Sequence, residues 1–119
     1  MIANLEVKDS IFDPDSNDRT AQWRNQGNTQ FYRVFLYLDG PRLPYVNAVT
    51  YILHPSFPEP TRQVNRTPEN QHCKLELWTW GTFQVQAIVT DGQGEMVTLS
   101  HDLEYPREYQ HGGVKFVAA

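Results

Sequence analysis

An all-β fold, an immunoglobulin-like sandwich of two antiparallel sheets, follows from three features of the sequence. Eight prolines and seven glycines divide the 119 residues into short segments, leaving no stretch for a long amphipathic helix. The segments between these breaks are rich in β-branched and aromatic residues. Several of them alternate apolar and polar side chains with the period of two that a half-buried strand requires.

In chain order, Ala3 to Phe12 and Thr20 to Asn25 carry the weaker strand pattern. Phe31 to Asp39 is clearer: Val34, Leu36 and Leu38 share one face, and Arg33, Phe35 and Tyr37 share the other, whose aromatics imply a second, partly covered surface. Tyr45 to Leu53 sets Val49, Tyr51 and Leu53 against Thr50, and Cys73 to Trp78 follows as a further strand. Within Thr82 to Thr90, a dry face of Phe83, Val85, Ala87 and Val89 opposes a wet face of Gln84, Gln86 and Thr90. Asp91-Gly92-Gln93-Gly94 reads as the tight turn leading into Glu95 to Leu103, because glycine supplies the positive φ such turns need. About seven short strands at this spacing imply a sandwich whose loops cluster at its ends, which is where a site is expected. Trp23 and Trp78 belong to no motif and read as core packing. Residues 1–119 are read as a single domain taken from a longer protein, with Gly112-Gly113 opening a linker.

The totals exclude several classes of function. The length suits one domain that buries a core without staples, and 39% hydrophobic residues with three Trp, six Tyr and six Phe describe a folded, aromatic-rich chain. A net charge of -4 argues against nucleic acid or an anionic membrane surface as partner and favours a basic one, such as a lysine-rich peptide. The single Cys73 cannot form an internal disulfide, and Met1 to Leu5 lacks the layout of a signal peptide. No apolar run is long enough to span a bilayer. A monomer in the reducing cytoplasm is expected, which makes the Asn65-Arg66-Thr67 sequon incidental.

The chemistry concentrates after Leu53, in His54-Pro55-Ser56-Phe57-Pro58-Glu59-Pro60. Three prolines in seven residues cannot continue a ladder and must form a rigid loop. A loop fixed in advance that carries an imidazole, a hydroxyl and a phenyl ring suits a specific pocket, since little entropy remains to be lost on binding. Farther on, Trp78-Thr79-Trp80-Gly81-Thr82-Phe83 precedes a strand and offers aromatics for an opposing wall.

Together these segments resemble the YEATS domain, whose members carry an L-H-x-S-[FY] loop and then an aromatic followed by G-x-F. The matching residues are Leu53, His54, Ser56 and Phe57, then Trp80, Gly81 and Phe83. The likeness extends to Tyr32-Arg33-Val34-Phe35, to Val46, Val49 and Tyr51, and to Arg62 and Val64, covering about half of the chain. In overall appearance it is closer to the prokaryotic branch than to the histone readers of chromatin. Departures are the longer Asn65 to Gln71 loop and Thr79, which stands where many members have glycine.

The resemblance implies a reader of acetyl-lysine and of longer, flat acyl-lysines such as crotonyl-lysine, with no cofactor. Phe57 and Trp80 would sandwich the acyl group, Ser56 would hydrogen-bond its amide, and His54 would orient Ser56. The backbone N–H of Trp80 would hold the acyl carbonyl beside Gly81. Phe31, Tyr32 and Thr79 are the candidates for the rim.

A protein-docking immunoglobulin-like domain without acyl-lysine binding is the alternative, and it would pack the same aromatics inside. Catalysis by Ser56 with His54 is set aside, because residues two apart on one loop seldom reach attack geometry and neither a G-x-S-x-G elbow nor an orienting carboxylate is evident. His54, His72, His101 and His111 lack zinc-site spacing. Asp13 to Asp18 opens like a calcium loop, but it has Asp18 where glycine is needed and Arg24 where glutamate is needed, so a solvated Asx turn is expected.

Overall fold

The computed structural model describes residues 4–18, 20–106 and 115–119. Nine strands run along it: β1 (Glu6–Ser10), β2 (Thr20–Gln26), β3 (Thr29–Asp39), β4 (Val46–Ile52), β5 (Thr61–Asn65), β6 (Leu75–Thr79), β7 (Gln84–Asp91), β8 (Met96–Asp102) and β9 (Lys115–Ala118). They form two sheets, and one 3-10 turn lies at Leu43–Tyr45.

The second sheet has the order β5-β4-β7-β8 and is antiparallel throughout. In the first, the eleven-residue β3 organises its neighbours. Its register places β1 beside Phe35 to Asp39, β2 beside Thr29 to Tyr32, and β6 beside Tyr32 to Leu36. Because β6 overlaps both β1 and β2 along β3, those two strands must share the opposite edge. β9 pairs with β2 in parallel, a departure from the purely antiparallel sandwich expected. The reason is connectivity: hairpin neighbours must run antiparallel, whereas β9 comes from the far end of the chain, free of that constraint. Gly112-Gly113 lie outside the described residues, but the chain beyond them rejoins the sandwich as β9.

The expected alternation positions the core. Val34, Leu36, Leu38, Val49, Tyr51, Val85, Ala87 and Val89 are all fully buried between the sheets. Tyr51 keeps its phenol satisfied there by donating to the carbonyl of Cys73 at 2.8 Å. The outer face of β3 is covered as its aromatics implied: the Arg33 guanidinium lies 4.8 Å from the centre of the Phe35 ring and the Lys74 ammonium 5.7 Å from it.

Element ends are where sequence reading strayed. Cys73 has φ +52° and stands outside the ladder, so β6 starts at Leu75. Tyr45 closes the 3-10 turn and β4 follows it. β5 was not anticipated, because a short edge strand of Thr, Arg, Gln, Val and Asn carries little hydrophobic signal. Two turns needed their glycines: Gly94 (φ +86°) follows Asp91, whose carboxylate accepts the N–H groups of Gln93 and Glu95 at 2.9 Å, and Gly40 (φ +133°) packs directly on the Asn4 carbonyl.

Asp13 to Asp18 forms the expected Asx turn, Asp15 donating its N–H to Asp13 Oδ1 at 2.9 Å. Lys74 is the cation there, at 2.9 Å from Asp13 and 3.3 Å from Asp15.

Candidate functional site

The proline loop between β4 and β5 is closed by its own backbone. Leu53 N–H donates to Pro60 O at 2.7 Å, Phe57 N–H donates to His54 O at 3.0 Å, and Glu59 takes φ +51° to complete the bend. Arg62 clamps it from β5, with Nε on Glu59 O at 2.8 Å and a terminal nitrogen on Pro58 O at 2.9 Å. The loop therefore holds its shape without a ligand.

Inside it, His54 Nδ1 accepts the Ser56 backbone N–H at 3.1 Å and lies 2.8 Å from Ser56 Oγ. Since Nδ1 accepts the backbone N–H, the ring proton is on Nε2 and the serine hydroxyl points its proton at Nδ1. The lone pairs of Oγ then face outward as acceptors. The tight Pro55 turn between them brings the two side chains into contact, although residues two apart on one loop seldom reach such geometry. Among the described residues no carboxylate hydrogen-bonds His54, so no third member orients the imidazole as nucleophilic catalysis would require.

The opposing wall is the turn after β6. Thr79 is buried, and its hydroxyl donates to Gly81 O at 3.0 Å. Tyr105 donates to the same carbonyl at 3.1 Å. Tyr105 is in turn held by Asp9 Oδ2, which accepts its N–H at 2.8 Å. With this turn pinned from two sides, Trp80 projects outward at 69% exposure. A Cβ added at Gly81 would meet nothing within 4 Å, so the space above that glycine is open.

Between loop and turn lies a cleft of about 570 Å³ at one end of the sandwich. Of the residues singled out in the sequence, His54, Ser56, Phe57, Trp80, Gly81, Phe31 and Thr79 line it. Tyr32 does not: it sits on the inner face of β3, packed against the core and 6.2 Å from the Tyr105 ring. Phe57 leans on Phe83 (centroids 5.2 Å, planes at 55°), which props it from behind, and His54 meets the same ring edge-on at 6.3 Å. Phe57 and Trp80 both line the cleft and make no ring contact with each other.

Sequence reasoning missed Arg24, Gln26, Trp78, Pro58 and Thr82 as lining residues. Trp78, read as core, is half-buried on the outer face instead, because Leu77 and Thr79 on either side of it point inward. That parity was the available signal; for Arg24 and Gln26 there was none, since only the β2–β3 register brings them to the cleft.

A second groove, about 460 Å³, runs between β1 and β8. Its Asp9 side chain is 1% exposed and is consumed by structure, accepting His101 Nε2–H and the N–H groups of Glu104 and Tyr105. Cys73 is fully buried, and burial pushes its thiol up to about 11, away from nucleophile chemistry.

The description of the prokaryotic YEATS domain matches residues 32–104. The chain belongs to the prokaryotic YEATS family. A curated relative, transcription initiation factor TFIID subunit 14 of Schizosaccharomyces pombe, is 33% identical over 73 residues, which is 60% of this chain and 28% of the relative. The YEATS match takes in the proline loop, the Trp80 turn and every strand from β4 to β8. No helix among the described residues of this YEATS domain is long and apolar enough to cross a membrane.

Proposed function

We propose that this YEATS domain is a binding module that takes an acylated lysine, acetyl or a longer flat acyl such as crotonyl, between Phe57 and Trp80. The observation that carries the reading is that an exposed indole, a braced phenyl ring and a hydroxyl acceptor line one open cleft. A planar amide or enoyl group stacked between two rings gains dispersion and quadrupole attraction. Ser56 Oγ accepts the acyl amide N–H, the Trp80 backbone N–H donates to the acyl carbonyl, and His54 keeps the serine hydroxyl aimed. Phe31, Thr79 and Gly81 border the slot. Unmodified lysine is refused, since its ammonium would shed water in the slot without finding an anionic or carbonyl acceptor there. Protein recognition also accords with the family match and with the relative's place in a transcription initiation factor.

The docking alternative needs these aromatics packed inside, and the 69% exposure of Trp80 counts against it. The test is a titration of matched acetyl-, crotonyl- and unmodified-lysine peptides. Dissociation constants on the order of micromolar to millimolar are expected for the acylated peptides and none for the unmodified one. Equal binding of all three, or of none, refutes the proposal.

A further inference from the structure

The cleft does not stop at the end of the sandwich. It continues onto the outer face of the first sheet, where Arg24, Gln26, Phe31 and Trp78 form its far wall. Register explains this. Arg24 on β2 faces Phe31 on β3, and the β3–β6 pairing of Tyr32 with Thr79 carries the same row on to Trp80. Arg24, Phe31 and Trp80 thus lie side by side, with Arg24 two strand spacings, roughly 10 Å, from the indole that borders the acyl slot.

The Arg24 guanidinium lies over the Trp78 ring, its central carbon 4.3 Å from the ring centre. Stacking restrains the group but leaves the edge of its fork free to donate, the geometry that recognises a carboxylate. Several other basic groups are spent internally: Lys8 on Asp39, Lys74 on Asp13 and Asp15, Arg62 on the loop carbonyls; Arg33 and Arg42, like Arg24, lie over aromatic rings, but neither lines this cleft. Among the described residues Arg24 takes part in no ion pair, although the chain carries a net charge of -4. A restrained, uncompensated cation in the wall of the cleft is a ready anion site.

We infer that Arg24, held on Trp78, is a carboxylate subsite of the same cleft, so the preferred ligand is an acyl-lysine with a carboxylate nearby. This rests on the acyl-lysine reading and adds a selectivity to it. The carboxylate has two possible sources, a flanking Asp or Glu of the bound peptide or the far end of a dicarboxylic acyl group.

The test uses crotonyl-lysine peptides with a single Glu or Gln walked through the two positions on each side of the lysine, and a succinyl-lysine peptide beside a butyryl-lysine one. Each pair is titrated against the wild type, Arg24→Gln and Arg24→Lys. The wild type should prefer the carboxylate member of at least one pair by about 3- to 10-fold, less at high salt. In Arg24→Gln that preference should fall to about one whatever the absolute affinities, and Arg24→Lys should restore only part of it, because lysine cannot present the fork. Preference in the Glu/Gln pairs identifies a flanking residue, and preference in the succinyl/butyryl pair identifies the acyl end. If neutral acyl-lysine peptides bind but no pair discriminates, or the preference survives Arg24→Gln, the subsite is wrong while the reader stands. If no acylated peptide binds, both fall.

Discussion

Replacing Trp80 by alanine separates a ligand wall from a core residue, and the structure sets the size of each effect. At 69% exposure about a third of the side chain is covered. A fully buried aromatic hides roughly 200 Å², so the covered part is about 60 Å², worth about 1.5 kcal/mol at 25 cal/mol per Å². For a domain of this size the melting temperature should fall by about 5 to 8 °C, leaving a folded protein at room temperature. A core tryptophan would cost about 3 to 5 kcal/mol instead. The effect on binding should be larger than that on folding. Loss of one face of the stacking slot removes about 1 to 3 kcal/mol, a 5- to 150-fold loss that takes a weak reader out of measurable range. Differential scanning fluorimetry and calorimetric titration with a crotonyl-lysine peptide, run on one preparation, give both numbers. A folded variant that binds as the wild type does would refute the stacking role, and a collapsed melt would refute the exposed placement of the indole.

Other perturbations probe the loop, one turn and the tie between the sheets. Ser56→Ala should weaken acyl-peptide binding by about 1 to 2 kcal/mol with little change in the melt, because Ser56 is exposed and loses, besides the ligand-facing acceptor, only a solvent-exposed hydrogen bond to His54; an unchanged titration would mean the hydroxyl serves only the loop. Gly40→Ala should cost about 2 to 4 kcal/mol by denaturant unfolding, since its φ of +133° is strained for any Cβ and the added atom would meet the Asn4 carbonyl; a wild-type midpoint would show that the β1 start can move aside. The hydrogen bond to the buried Asp9 carboxylate, against the opposing effect of burial, raises His101 above its ordinary 6.5. Its stabilisation is therefore complete below about pH 6.5 and is lost as pH rises through the raised value. The melting temperature of the wild type should thus decline across neutral and mildly alkaline pH, and His101→Gln should flatten that decline; an unchanged slope in the variant would disprove the assignment.

The sandwich and the residues that meet at its candidate site were legible in the sequence because they depend on local rules. Alternation along Val34 to Leu38 and Val85 to Val89 can satisfy a one-sided core in only one phase, and the structure buries those residues. Three prolines around Ser56 and Phe57 dictate a stiff loop whatever surrounds it, and the loop is indeed closed on itself. Trp80 beside Gly81 could be placed at the end of a strand for the same reason.

Relations between distant segments were decided only by the tertiary structure. The parallel docking of β9 on β2 joins segments nearly the whole chain apart, with no hairpin to announce it. Asp9 looked like any charge in a weak strand, yet it receives His101 and the backbone of Glu104 and Tyr105 from more than ninety residues away. Arg24 and Trp78 belong to no motif and meet only because β2 and β6 flank the same end of β3. Side-chain parity is written into each strand, but which strands become neighbours, and in what register, follows from burying both sheets at once. That condition belongs to the whole chain and to no segment of it.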